Sequence, residues 1–185
     1  MKKLGKLTLK EMGNSFNVIN RSQARDLIGG GYWEWTPEGG WTYVLDEVTV
    51  TGGTAGLVAN AQNELGVSEY PGEGDNPRIG DYFESVGGAY GSDTSDETPW
   101  CSAFVNFIVE TSGFVGTDSA AAVSWLDWGT PVYGDPQPGD IAVRSDGHHV
   151  GIVTSVEGGT VYMISGNYGG AVAVSTATDY TFRRP

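Results

Sequence analysis

The stretch Thr98-Pro99-Trp100-Cys101-Ser102-Ala103-Phe104-Val105-Asn106-Phe107 carries the chain's one cysteine at what reads as a turn running into a helix. Thr98 is a candidate N-cap and Pro99 suits the first helical position, which puts Cys101 in the first turn. Unpaired backbone N–H groups and the helix dipole there favour a thiolate, so the expected pKa falls below the ~8.5 of a free thiol. A lone cysteine makes no internal disulfide and no thiolate-rich zinc site. Two roles are left for it: a small apolar residue packed beside Phe104 and Val105, or a nucleophile.

A nucleophilic thiol needs a base, and the base needs a group that holds its ring. His148 and His149 stand immediately before the apolar run Val150-Gly151-Ile152-Val153. A strand over that run fixes the direction of His149, whereas His148 follows Asp146-Gly147 in a loop, so His149 is the expected base. Val150–Val156 and Val161–Gly166 read as the arms of a hairpin across Glu157-Gly158-Gly159-Thr160. With a three-residue loop, 157–159, position 149 pairs with Asn167 on one face, where an asparagine carbonyl can orient the imidazole. A two-residue turn would place them on opposite faces.

Composition bounds the rest. The 185 residues, 39% hydrophobic and only 18% charged, suffice for one domain plus an appendage. Twenty-nine glycines and nine tyrosines suggest a turn-rich secreted or surface protein. A formal net charge of −13 disfavours nucleic acid, anionic membranes and polyanionic polymers as partners held by bulk electrostatics. No stretch is long and apolar enough for stable membrane insertion. Asp93, Asp96 and Glu97 lack the spacing of a calcium loop and read as a solvated turn. One cysteine and two adjacent histidines make a poor zinc set, no phosphate loop is visible, and neither metal nor cofactor is expected.

The pattern along the chain is helices first and strands afterwards. Leu57, Val58, Ala61 and Leu65 mark one face of a helix closed by Gly66, and Ala120–Gly129 reads as a further small-residue helix. Alternation then switches to strands at Ile141–Arg144, Val150–Val156, Val161–Ile164 and Val172–Ser175. This is an α+β arrangement, with N-terminal helices packed on an antiparallel sheet.

The first 53 residues differ from this domain, 54–185. Lys2, Lys3, Lys6, Lys10, Arg21 and Arg25 accompany Leu4, Leu7, Leu9, Met12, Phe16, Ile19 and Leu27, ending in Gly29-Gly30-Gly31. Residues 1–30 resemble the double-glycine leaders of bacterial peptides exported by ABC transporters with a papain-like leader peptidase. Leu27 and Ile19 stand where such leaders carry hydrophobic residues if the cut follows Gly30, although Gln23 replaces the frequent acidic residue. A docked N-terminal helix ended by glycine is the rival reading. In 31–53, Trp33, Trp35, Trp41 and Tyr43 surround Pro37-Glu38-Gly39-Gly40, a hairpin signal with its turn at Glu38-Gly39, followed by a linker.

Six segments occur in order: Asn76-Pro77-Arg78-Ile79, Trp100–Val105, Ser124–Gly129, Pro138-Gly139-Asp140-Ile141, His149-Val150-Gly151 and Gly166-Asn167. Together they resemble small bacterial and phage cell-wall hydrolases related to the CHAP and NlpC-type groups of the papain-like superfamily. The resemblance implies a papain-like core with Cys101 as nucleophile, His149 as general base and Asn167 as the orienting residue. It implies hydrolysis of a peptidoglycan amide: a stem or cross-bridge bond, or the N-acetylmuramoyl–L-alanine bond. Trp100, Trp125, Trp128 and Tyr168 are then candidate cleft walls, with core packing the alternative for Trp125. The family usually follows the asparagine with glutamine, where this chain has Tyr168, and no glutamate stands in this hairpin near the asparagine. With the leader, the resemblance suggests an exported antibacterial effector, a cognate immunity protein and an ABC exporter as partners. The rival from another class is an inactive wall-binding or receptor-docking protein on the same fold.

Overall fold

The computed structural model describes residues 31–36, 40–45, 53–72 and 74–185. The expected leader, the turn at Glu38-Gly39 and the linker after residue 45 lie outside the described residues. The chain divides into two units, 1–50 and 51–185. In the first, β1 (Gly31–Thr36) and β2 (Gly40–Leu45) pair antiparallel from Gly31↔Leu45 to Thr36↔Gly40, forming the hairpin that the aromatic and glycine pattern predicts.

The second unit is α+β. Helix α1 (Thr54–Asn63) buries Leu57 and Ala61, while Leu65, beyond its end, is exposed rather than part of the buried face. Helix α2 (Pro77–Glu84) went unread in the sequence because the surrounding segment is rich in glycine, proline and acids. Its start signal is nevertheless complete. Asn76 Oδ1 accepts from the Arg78 N–H at 2.9 Å, and Pro77 occupies the first turn, where no N–H is needed. Ile79, Tyr82 and Phe83, spaced i, i+3, i+4, all turn into the core.

Helix α3 (Cys101–Thr111) is buried at every position from Cys101 to Val109. Trp100, not Thr98, is its N-cap residue, and the Thr98 N–H is instead held by the Ser95 carbonyl at 3.0 Å. The helix therefore starts at Cys101, two residues later than the Thr98-Pro99 signal predicts. Its buried polar groups are all engaged. Ser102 Oγ donates to Ser119 O at 2.6 Å and accepts from Trp125 Nε1 at 2.9 Å. Asn106 Oδ1 accepts from the Thr117 N–H at 2.6 Å and Nδ2 donates to Ser102 O at 2.9 Å. The expected helix over 120–129 is a short 3₁₀ helix, Ala122–Asp127.

Six strands form one antiparallel sheet in the order β3-β8-β4-β5-β6-β7: β3 (Thr130–Val132), β4 (Ile141–Arg144), β5 (Val150–Glu157), β6 (Thr160–Ser165), β7 (Ala173–Thr176) and β8 (Tyr180–Arg184). Ile141, Val143, Val150, Ile152 and Ile164 join the helical core, whereas Ala142, Val153 and Met163 pack on the opposite face with Phe182 and Tyr180. Asp140 is 1% exposed and takes both nitrogens of the Arg184 fork at 2.7 and 2.8 Å, fixing the end of β8 beside the start of β4. Asp96 is not solvated as expected: it is buried and accepts from the N–H groups of Tyr70 and Asn76 at 3.1 and 2.9 Å.

The β5–β6 hairpin turns on Gly158-Gly159, both at positive φ (57° and 83°), as a two-residue turn with strand ends at Glu157↔Thr160 demands. Alone, this turn would undo the predicted register. A bulge between Val153 and Ser155 shifts the pairing by one, giving Ile152↔Ile164 and carrying Gly151 opposite Ser165. Position 149 therefore shares a face with Ser165 and heads toward 167, as a three-residue loop would have arranged.

Gly166 sets how close helix and sheet can come. A Cβ built on it would lie 2.6 Å from Phe104 Cβ and 2.6 Å from the Trp100 ring. Gly166→Ala should cost about 1–3 kcal/mol by overpacking and push residues 165–167 off the first turn of α3. Urea unfolding beside activity checks this, and unaltered stability would contradict the packing.

Candidate active site

Cys101 opens α3 and is 5% exposed. Its sulfur is faced by the backbone N–H groups of Val150, Ser102 and Cys101 itself. The Val150 contact places the thiol against the start of β5, one residue from His149. The packing of α3 on β5 thus sets Cys101 against the residue that follows His149. His149 is half-buried, whereas His148 is 77% exposed in the 145–148 loop with its ring toward Asp146.

Burial pushes the Cys101 thiol above its ordinary pKa, and the three N–H groups and the Arg144 charge only partly offset it. This corrects the expected depression: the helix start is present, but the sulfur is too desolvated for the dipole to win. Burial, followed by the Arg144 charge, lowers the His149 pKa. Both shifts favour the uncharged forms, a thiol at Cys101 and a neutral imidazole at His149.

His149 Nε2 lies 3.0 Å from Ser165 Oγ. Ser165 is fully buried at the end of β6, diagonal to His149 across the sheet. The sequence reading missed it, although the register that nominates 167 also nominates 165. Asn167 sits at φ 54°. Its carboxamide oxygen accepts from the Trp100 N–H at 3.2 Å and its nitrogen donates to Glu69 Oε1 at 3.3 Å. Glu69 Oε1 also accepts from Trp100 Nε1 at 2.9 Å. Asn167 is therefore tied to the residue before Cys101, and the contact to the His149 imidazole expected of it is made by Ser165.

The four aromatic candidates separate. Trp100 and Trp125 are fully buried, with indole N–H groups on Glu69 and Ser102, and so are core residues rather than cleft walls. Trp128 is half-buried, edge-on to Trp125 at 5.1 Å and bonded to Val115 O. Tyr168 is 52% exposed with its ring 6.2 Å from that of His149, and it alone of the four borders the base. No group of metal-ligating side chains occurs among the described residues.

These shifts have opposite signs and separate consequences. His149 accepts a proton only when neutral, so activity should rise with pH through a limb below its ordinary 6.5. Alkylation of the free protein by iodoacetamide should rise through a thiol pKa above the ordinary range. An alkylation rate that stays flat down to pH 5 would contradict a neutral resting pair.

The CHAP domain family matches residues 93–167, a span that holds Cys101, His149, Ser165 and Asn167. Among solved structures, the chain is similar to the P60 domain of an M. avium subspecies paratuberculosis antigen, with 20% identity and a TM-score of 0.44, over 70% of this chain and 93% of that one. It is also similar to a mutated form of RipA, a resuscitation promoting factor interacting protein, with 16% identity and a TM-score of 0.47, over 83% of this chain and 70% of that one. No curated protein matches the chain.

Proposed function

We propose that the chain, whose residues 93–167 match the CHAP domain family, is a cysteine amidase or peptidase of the peptidoglycan hydrolase class, and that Cys101, His149 and Ser165 perform its chemistry. The observation that carries this reading is the seat of the only cysteine at the first residue of a buried helix, against the strand that begins next to His149.

With Ser165 Oγ accepting from Nε2–H, the other imidazole nitrogen, Nδ1, is free to take the thiol proton. The thiolate attacks the amide carbonyl, and the unpaired N–H groups at the start of α3 stabilise the oxyanion. His149 returns the proton to the leaving amine, and water, deprotonated by the same base, releases the acid from the thioester. Asn167 and Glu69 act on the nucleophile's side by fixing Trp100, while Tyr168 offers a wall for substrate beside the base. The substrate is a stem or cross-bridge amide or the N-acetylmuramoyl–L-alanine amide.

The same reading makes the protein an exported antibacterial effector. Residues 1–30 serve as a double-glycine leader for an ABC exporter, and an immunity protein covers the cleft in the producer. The basic, amphipathic opening ending in Gly29-Gly30-Gly31 supports this part.

Purified protein should release new amines or muropeptides from peptidoglycan, and Cys101→Ala should lower the rate roughly 10⁴-fold. Ser165→Ala should cost roughly tenfold, the worth of one hydrogen bond, and shift the acid limb of the pH profile. Asn167→Ala should lower the rate and leave that limb in place. Clearance of peptidoglycan by Cys101→Ala at the parent rate would defeat the catalytic reading.

A further inference from the structure

Beyond Lys10 the chain has no lysine, and beyond Arg25 its only arginines are Arg78, Arg144, Arg183 and Arg184. Three of these are spent on internal acceptors. Arg78 is bound to Glu64 and Asp81, Arg183 to the carbonyls of Trp128 and Gly129, and Arg184 to Asp140. Arg144 differs. Only its Nε is engaged, at 2.8 Å from the exposed Asp146, and its two terminal nitrogens have no hydrogen-bond partner among the described residues.

Its position is as distinctive as its spare donors. The Arg144 N–H donates to the His149 carbonyl at 2.9 Å, and the pairing Val143↔Val150 makes Arg144 and His149 direct cross-strand neighbours. Arg144↔Tyr180 extends the same row to β8. Side chains in one such row share a face, so the guanidinium stands beside the base. Its charge is felt at Cys101, His149 and Tyr180 alike. In a domain with this excess of carboxylates, Arg144 offers an anionic group of the substrate a cationic partner beside His149.

We propose that Arg144 is a specificity residue that binds, through its free terminal N–H groups, a carboxylate carried by the substrate next to the scissile amide. A guanidinium fork matches a carboxylate in a bidentate fashion, which fixes register as well as charge. The preferred substrate is thus a peptide with a free carboxylate near the cleaved bond, as opposed to the same peptide with that group amidated. This rests on the peptidoglycan reading above, whose stem peptides carry such carboxylates in free or amidated form.

The test uses matched synthetic stem peptides, free acid and carboxamide, and compares kcat/KM on each for the full chain. The parent should prefer the free acid by roughly tenfold or more, expressed in KM. Arg144→Gln should bring that ratio close to one, and Arg144→Lys should restore part of it. Any general effect of the charge on Cys101 or His149 alters both peptides equally and cancels in the ratio. A parent without preference, or an Arg144→Gln protein that keeps it, overturns the proposal and leaves the hydrolase reading intact. Failure of the parent to cut either peptide or peptidoglycan overturns the peptidoglycan reading and this proposal with it.

Discussion

The close approach of Gly166 to Trp100 and Phe104 is the contact on which the site depends. It brings the end of β6 onto the first turn of α3 with no side chain between them. Ser165 and Asn167 flank the glycine, one reaching His149 and the other the backbone of Trp100 beside Cys101. The fold holds these groups by burying α3 on all sides, so that Cys101 cannot move without disturbing the core.

The same burial decides the protonation states. A cysteine at a helix start in water would favour its thiolate, but here the sulfur is enclosed and desolvation dominates. Desolvation also acts on His149, in the direction that keeps the imidazole neutral. Both shifts favour uncharged partners. Under the proposed mechanism the thiolate forms only as the proton moves to His149 with substrate in place, rather than standing as a reactive anion in the free protein.

The parts of this that were legible in the sequence are those governed by local rules. The helix that carries Cys101, the strand beginning beside His149 and the existence of β4, β5 and β6 follow from period and punctuation. Helix α2 and strands β3 and β8 escaped because glycine, proline and acidic residues mask short elements whose formation depends on tertiary packing. The pairing of 149 with the end of β6 was reached by the wrong route: a two-residue turn and a bulge at 153–155 give the face that a three-residue loop was expected to give. Ser165 was hidden by that arithmetic, which looks straight across strands and neglects the diagonal. The burial of Trp100 was hidden for another reason, since an indole with an internal partner for its N–H reads in sequence like one facing a ligand, whereas for Trp125 the core-packing alternative is the one the structure shows.

The central claim is that the one cysteine attacks the amide and carries its acyl half as a thioester. Acid quenching of turnover on a soluble muropeptide, followed by intact-protein and peptide mass analysis, tests this most directly. A transient mass increase equal to the acyl fragment, located on Cys101, is the expected result. Continued turnover with Cys101 blocked by a stable alkyl group, and no acyl adduct at any quench time, would contradict it.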